Sequence, residues 1–132
     1  MKTHKTILLL ISLFIFQFAI GQTNLDTITA TIATQRIGQD VIVKGNVVTV
    51  FYAKNSNGKP TFLNLDKAFP DNPIVVIIFE KELKKLNINA QQYNNKKIIV
   101  KGKMGLYKDE EKPYEDKPSI IIKSLDQIKI VE

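Results

Sequence analysis

VIVKGNVVTVFYAK, residues Val41–Lys54, decides how this chain folds. β-Branched and aromatic side chains dominate it, and such residues suit a pleated, half-buried surface, so a long strand is expected. Gly45 interrupts it, and a glycine inside a strand marks a bulge or a sharp bend. The letters IVKG recur at Ile99–Gly102, inside KIIVKGKMGLYK (Lys97–Lys108), which reads as a second long strand. Gly45 and Gly102 are therefore expected at matching bends, with the apolar residues before them turned inward and Lys44 and Lys101 outward.

The segments around these two strands fill in the plan. Asn55–Pro60 (NSNGKP) is a turn cluster. TFLNLD (Thr61–Asp66) alternates, with Phe62 and Asn64 on one face and Leu63 and Leu65 on the other. Phe69–Pro73 reads as a rigid loop, and the apolar run Ile74–Phe79 as a strand buried on both sides. Phe79, Leu83 and Leu86 share a helical face, which places a short amphipathic helix at Lys81–Leu86. Gln91–Lys97 is a turn, Asp109–Pro118 a charged loop, Ser119–Ser124 the last full strand and Gln127–Glu132 a short extension. Upstream, Leu25, Ile28 and Ile32 lie at helical spacing and Gly38 can end a helix, so Asp26–Ile37 is expected to be helical.

The first residues read as a secretory signal. Lys2 and Lys5 precede the apolar run Ile7–Ile20, and the small residues Ala19 and Gly21 precede a cut before Gln22. The run is shorter than the roughly 20 apolar residues that a bilayer span needs. The expected division is residues 1–21 as signal, 22–37 as a helical lead-in and 38–132 as the folded domain, periplasmic or secreted, with no membrane anchor after cleavage. Removing Lys2 and Lys5 from the 19 basic residues leaves 17 against 13 acidic ones, and Arg36 is the only arginine. The chain has no cysteine, and His4, its one histidine, lies in the signal. That composition excludes Cys–His pairs, Ser-His-Asp triads and zinc sites of the usual kind from the mature chain. An enzyme is not expected, nor is a cofactor or metal.

The element order is helix, three strands, helix, two strands. It fits a mainly β, five-stranded Greek-key barrel of the OB type, with a short N-terminal helix and another between strands 3 and 4. The chain also resembles small bacterial extracytoplasmic OB-fold domains of the nucleic-acid-binding type, found alone behind a signal peptide or fused to secreted nucleases. The pieces that carry the resemblance are G-x-x-V-x-V-x-G at Gly38–Gly45, TFLNL with its aromatic-Pro loop, strand 3 ending in IF, VKGK with a following tyrosine, and KP before III. It spans Gly38 to about Ile128. It implies binding of single-stranded DNA or RNA without strong sequence preference.

OB folds bind single strands with aromatic platforms and a basic groove, usually on the outward face of strands 2 and 3. Tyr52, Phe62 and Tyr107 are candidate platforms, with Phe69 and Tyr114 in flanking loops. Lys44, Lys54, Lys59, Lys101, Lys103 and Lys123 are candidate phosphate contacts, and Asn64 shares the face of Phe62. Packing competes for the aromatic residues and solvation for the lysines. The loop Lys108–Pro118, with five acids against three lysines, departs from a basic clamp. It favours an alternative: a module that binds a protein, glycan or small ligand through its loops. The acids of that loop lack the spacing of a calcium loop, and Asp66 with Asp71 read as turn formers more readily than as a catalytic pair.

Overall fold

The computed structural model describes residues 25–108 and 116–131. The expected signal at 1–21, the acidic run Asp109–Glu111 with Glu115, and Tyr114 lie outside the described residues.

The strands are β1 (Thr27–Thr29), β2 (Asp40–Tyr52), β3 (Pro60–Leu65), β4 (Val75–Phe79), β5 (Lys97–Lys103), β6 (Gly105–Leu106), β7 (Pro118–Ile121) and β8 (Ile128–Ile130). The described residues form two short α-helices, α1 (Ala30–Ala33) and α2 (Glu80–Lys85), with 3₁₀ turns at Ala90–Tyr93 and Leu125–Gln127. The sheet runs β6-β7-β4-β3-β2-β5-β8, and β1 adds to β2. β7 lies parallel to β4, whereas β2–β3, β3–β4 and β2–β5 are antiparallel. β5 and β6 are separated only by Met104, so the path of paired strands returns to the stretch of chain where it began. The sheet therefore curls round on itself.

The architecture is mainly β as expected, but the described residues form eight strands and not five. The fourth expected strand is interrupted at Met104, which is fully buried. Short ladders at β1 and β8 make up the rest of the difference. β8 falls within the expected extension at Gln127–Glu132.

The two IVKG copies are partners of one another. Val43 opposes Val100, Ile42 opposes Lys101, and Lys44 opposes Ile99 in the antiparallel β2–β5 ladder. Both valines are fully buried and both lysines are exposed, as expected. The glycines are held by close approach. A Cβ on Gly45 would lie 3.2 Å from Asp66 Oδ1 and 3.2 Å from Leu65 Cδ1, and one on Gly102 2.9 Å from Ile120 Cγ2. Asp66 makes use of the bare backbone beside Gly45. Its Oδ1 accepts from Asn46 N at 2.8 Å, and its own N–H donates to Asn46 O at 2.7 Å.

One core fills the curl, with Val43, Val47, Leu63, Leu65, Val76 and Ile78 among its members. Burying each such side chain is worth roughly 1.5–3 kcal/mol. β4 is apolar throughout because both its faces are covered. Val76 and Ile78 join this core, and Val75 and Ile77 join a second cluster on the outer face with Phe62 and Tyr107.

The N-terminal helix is much shorter than the expected Asp26–Ile37. Thr27–Thr29 instead pairs in parallel with Ile42–Lys44, where β-branched residues gain from the ladder. Helix begins only at Ala30, where Thr29 caps it by accepting from Ile32 N at 3.3 Å. Ala30 and Ala33 are its buried residues, while Leu25 and Ile32, which suggested the longer helix, are exposed. α2 starts one residue before the expected Lys81–Leu86. Its first turn carries Glu80 and Glu82 and its last Lys84 and Lys85, in keeping with the helix dipole.

Candidate nucleic-acid interface

β2 changes face partway along. Val47 opposes Leu65 and Val50 opposes Leu63, so three residues of β2 span two of β3. This bulge lies between Val47 and Thr49. Without it, alternation from Val43 and Val47 would send Phe51 inward and Tyr52 outward. With it, Phe51 opposes Phe62 on the outer face and Tyr52 opposes Thr61. Phe51 is 52% exposed, the most open aromatic ring among the described residues. It stacks on Phe62 with centroids 6.4 Å apart and planes 10° from parallel. Sequence reading missed Phe51, because nothing local in VVTVFY announces the extra residue.

The other candidates on the outer face are buried. Phe62 is 1% exposed and meets the edge of Tyr107 at 5.3 Å. Asn64 Nδ2 donates to Thr49 Oγ1 at 2.8 Å, and Asn64 Oδ1 accepts from Asn72 Nδ2 at 3.0 Å. Asn72 also donates to Ile74 O at 3.2 Å. These bonds tie β2, β3 and the loop before β4 together, and they occupy the Asn64 amide.

Tyr107 begins the segment that leads to β7, and that segment is pinned at both ends. Tyr107 N donates to Lys117 O at 2.9 Å, and Asp116 N to Tyr107 O at 2.8 Å. Lys108 and Asp116 form an ion pair. Lys117 Nζ donates to Pro70 O at 2.9 Å and Asn72 O at 3.0 Å, with the Phe69 ring 6.0 Å away. The Phe69–Pro70 peptide bond is cis.

The end of the β2–β3 hairpin gathers what remains accessible. Phe51, Tyr52, Lys54 and Lys59 are all exposed there. Gly58 shapes the turn: its φ is 70°, and a Cβ would lie 2.8 Å from the Phe79 ring. Tyr52 OH donates to Glu80 Oε1 at 3.0 Å, and Glu80 Oε2 sits 3.4 Å from Lys84 Nζ and 3.8 Å from Lys59 Nζ. The bond from Tyr52 leads the lowering of the Glu80 pKa, assisted by Lys84 and Lys59. The same bond leads the raising of the Tyr52 pKa. Glu80 is thus held as a compensated anion, and it lines both clefts that flank the tip. One, of about 580 Å³, is lined by Ser56–Lys59, Phe79 and Lys81. The other, of about 490 Å³, runs from Tyr52 to Leu83 and Ile88.

The remaining lysines lie elsewhere. Lys101 opposes Ile42 on the outer side of β2–β5 and pairs with Asp126 at 3.3 Å. Bonds from Ser124 and then Lys101 lower the Asp126 pKa. Lys103 is at the end of β5 and Lys123 just beyond β7, and both border a separate groove. Of the candidate contacts, the structure brings Tyr52, Lys54 and Lys59 to the hairpin end. Phe62, Asn64 and Tyr107 form the packed outer face beside them, and Lys101, Lys103 and Lys123 are on other surfaces. Among the described residues no three His, Cys, Asp or Glu side chains are grouped to hold a metal ion. Nor is any helix there long and apolar enough to cross a membrane.

No protein-family model matches the chain, and no curated protein matches it. Solved structures do. It is similar to a chain in the crystal structure of yeast Stn1 and Ten1, with a TM-score of 0.54 and 13% identity over 86% of this chain and 66% of that one. It is also similar to the aspartyl-tRNA synthetase of Entamoeba histolytica (TM-score 0.53, 15% identity, 88% of this chain, 23% of that one). The asparaginyl-tRNA synthetase of the same organism gives 0.51 and 16% identity over 81% of this chain and 23% of that one. The chain therefore spans about a quarter of each synthetase. The likeness extends to the fold of this chain: its curled sheet around β2 is OB-like.

Proposed function

We propose that the protein binds single-stranded nucleic acid, without strong sequence preference, at the end of the β2–β3 hairpin. One observation carries this reading: the exposed ring of Phe51 stacks on Phe62 on the outer face of an OB-like sheet, with Tyr52 exposed on the other face of the same hairpin end and Lys54 and Lys59 exposed beside it. An exposed ring backed by a second ring offers a base a rigid platform, and stacking is worth roughly 1–3 kcal/mol per base. Lysines supply phosphate contacts without reading sequence. Two of the similar structures are enzymes named for tRNA, which accords with this ligand class. The role is one of binding, with no catalytic step. The setting is extracytoplasmic, supported by the basic start, apolar run and small residues of 1–21; cell fractionation tests that part.

The test of binding is a fluorescence-anisotropy titration with a labelled mixed-sequence single strand at two salt concentrations. Affinity that falls steeply with salt, and falls again in Phe51→Ala, is expected. Affinity indifferent to salt and to Phe51 would sink the reading.

A second reading rests on a different observation. Tyr107, at the start of the segment between β6 and β7, packs on Phe62, and Lys117, at its end, bonds Pro70 O and Asn72 O, where Phe62 and Asn64 are already buried. A module that holds a protein, glycan or small ligand through this loop side would leave single strands unbound. Its contacts would map to residues 107–117 and not to Phe51.

A further inference from the structure

A further concave surface lies at the seam where β5 gives way to β6. It is a groove of about 460 Å³, within the roughly 300–1,000 Å³ typical of small-molecule sites. Ile37, Leu106 and Ile121 line it, exposed at 43%, 40% and 38%. Lys103 and Lys123 are the charged residues among its described lining, and no carboxylate is among them. Neither lysine has an ion-pair partner among the described residues, in contrast to Lys101 with Asp126.

Gly105 lines this groove and is not crowded by its neighbours. Its φ is not positive, and a Cβ there would meet nothing within 4 Å. Gly45, Gly58 and Gly102 by contrast each have a neighbour within 3.2 Å of the Cβ position. A strand glycine marks a bend at a barrel corner or a place where a ligand approaches the backbone closely; Gly105 directly follows the break at Met104, and the space over it is open. The lining carries no aromatic ring among its described residues, so it offers no platform for a base.

We infer that this groove binds a free single-chain aliphatic carboxylate, with the chain laid over Gly105 between Ile37, Leu106 and Ile121 and the carboxylate met by Lys103 or Lys123. The site is separate from the hairpin end and does not depend on that reading.

Calorimetric titration of the full chain with sodium decanoate, and with decan-1-ol as the uncharged match, tests it. Saturable decanoate binding, with decanol several-fold weaker, is expected. Gly105→Leu fills open space, so the melting temperature should hold while decanoate affinity falls by about tenfold or more, a loss of about 1.4 kcal/mol. Ile121→Gln, at an exposed position, is the second variant should Gly105→Leu fold poorly. Lys103→Gln with Lys123→Gln should bring decanoate down to the level of decanol. Phe51→Ala should leave decanoate binding unchanged, which separates failure here from failure at the hairpin. Decanol binding as tightly as decanoate, no saturable binding, or affinity indifferent to Gly105→Leu and Ile121→Gln overturns the inference. So does displacement of decanoate by a single-stranded oligonucleotide, or binding to anionic vesicles with none to monomeric decanoate.

Discussion

Val43 and Val100 face each other across the β2–β5 ladder, each fully buried, at the midpoint of a register that exchanges one IVKG copy for the other. The repeat is thus one local arrangement used twice. In each copy valine enters the core, lysine lies over the isoleucine of the opposite strand, and glycine lets a neighbouring residue approach closely. For the second copy that neighbour is Ile120, whose methyl would stand 2.9 Å from an added Cβ and which is itself fully buried. Gly102→Ala is therefore expected to destabilise the fold by about 1–3 kcal/mol, as overpacking does. Gly105→Ala, three residues on, meets nothing and should change stability by less than about 0.5 kcal/mol. Urea denaturation of the two variants side by side checks the contrast; equal midpoints would contradict it.

Phe51 and Phe62 share a stack but play different parts. Phe51→Ala removes an exposed ring, so the expected loss is in affinity for a single strand, about 1–3 kcal/mol, with a small effect on the melting temperature. Phe62→Ala removes a ring that is 1% exposed and touches Tyr107. Its expected cost is about 3–5 kcal/mol of stability. Thermal melts paired with anisotropy titrations separate the two effects. A Phe51→Ala protein that melts far below wild type would show that ring to be structural.

How much of this was legible beforehand depends on the range of the interactions involved. The strands that follow strict alternation or unbroken apolarity, such as Thr61–Asp66 and Ile74–Phe79, lie where their pattern puts them, because periodicity is a local property. The bulge in β2 is not local. It is set by how Leu63 and Leu65 of another strand meet Val50 and Val47, and missing it hid Phe51. The N-terminal segment failed for a similar reason. Leu25, Ile28 and Ile32 have helical spacing, but the parallel ladder to Ile42–Lys44 overrides it. The candidate list mixed three surfaces, since a lysine on one strand face looks the same in sequence whichever side of the barrel it ends on.

Asn64 is better described as a tie between strands than as a reader of bases. Its amide joins Thr49 and Asn72 at 2.8 and 3.0 Å while 2% exposed. Asn64→Ala strands polar partners in a buried place, for which about 1–3 kcal/mol is expected. The base preference of any single-strand binding should be unchanged in this variant at a temperature where it remains folded. A shift in preference would return Asn64 to the binding site.

The Tyr52–Glu80 bond predicts a stability difference with two pH limbs. Glu80 has a folded pKa below its ordinary 4.5, led by the hydrogen bond from Tyr52. Its contribution is therefore present above the unfolded value and is lost as pH falls through the folded one. Tyr52 has a folded pKa above its ordinary 10.0, led by the same bond. Its contribution is present below that value and is lost as pH rises through the folded one. Both limbs trace to one contact, so Tyr52→Phe should melt below wild type across neutral pH. The gap should close in acid, below the ordinary Glu80 value, and again in alkali, above the ordinary Tyr52 value. Both groups are open to solvent and screened, so the gap is small and narrows further with added salt. Melting curves of the two proteins from acid to alkali, at low ionic strength, decide the matter. A gap that does not vary with pH would mean that the tyrosine contributes through packing over the cleft and not through its bond to Glu80.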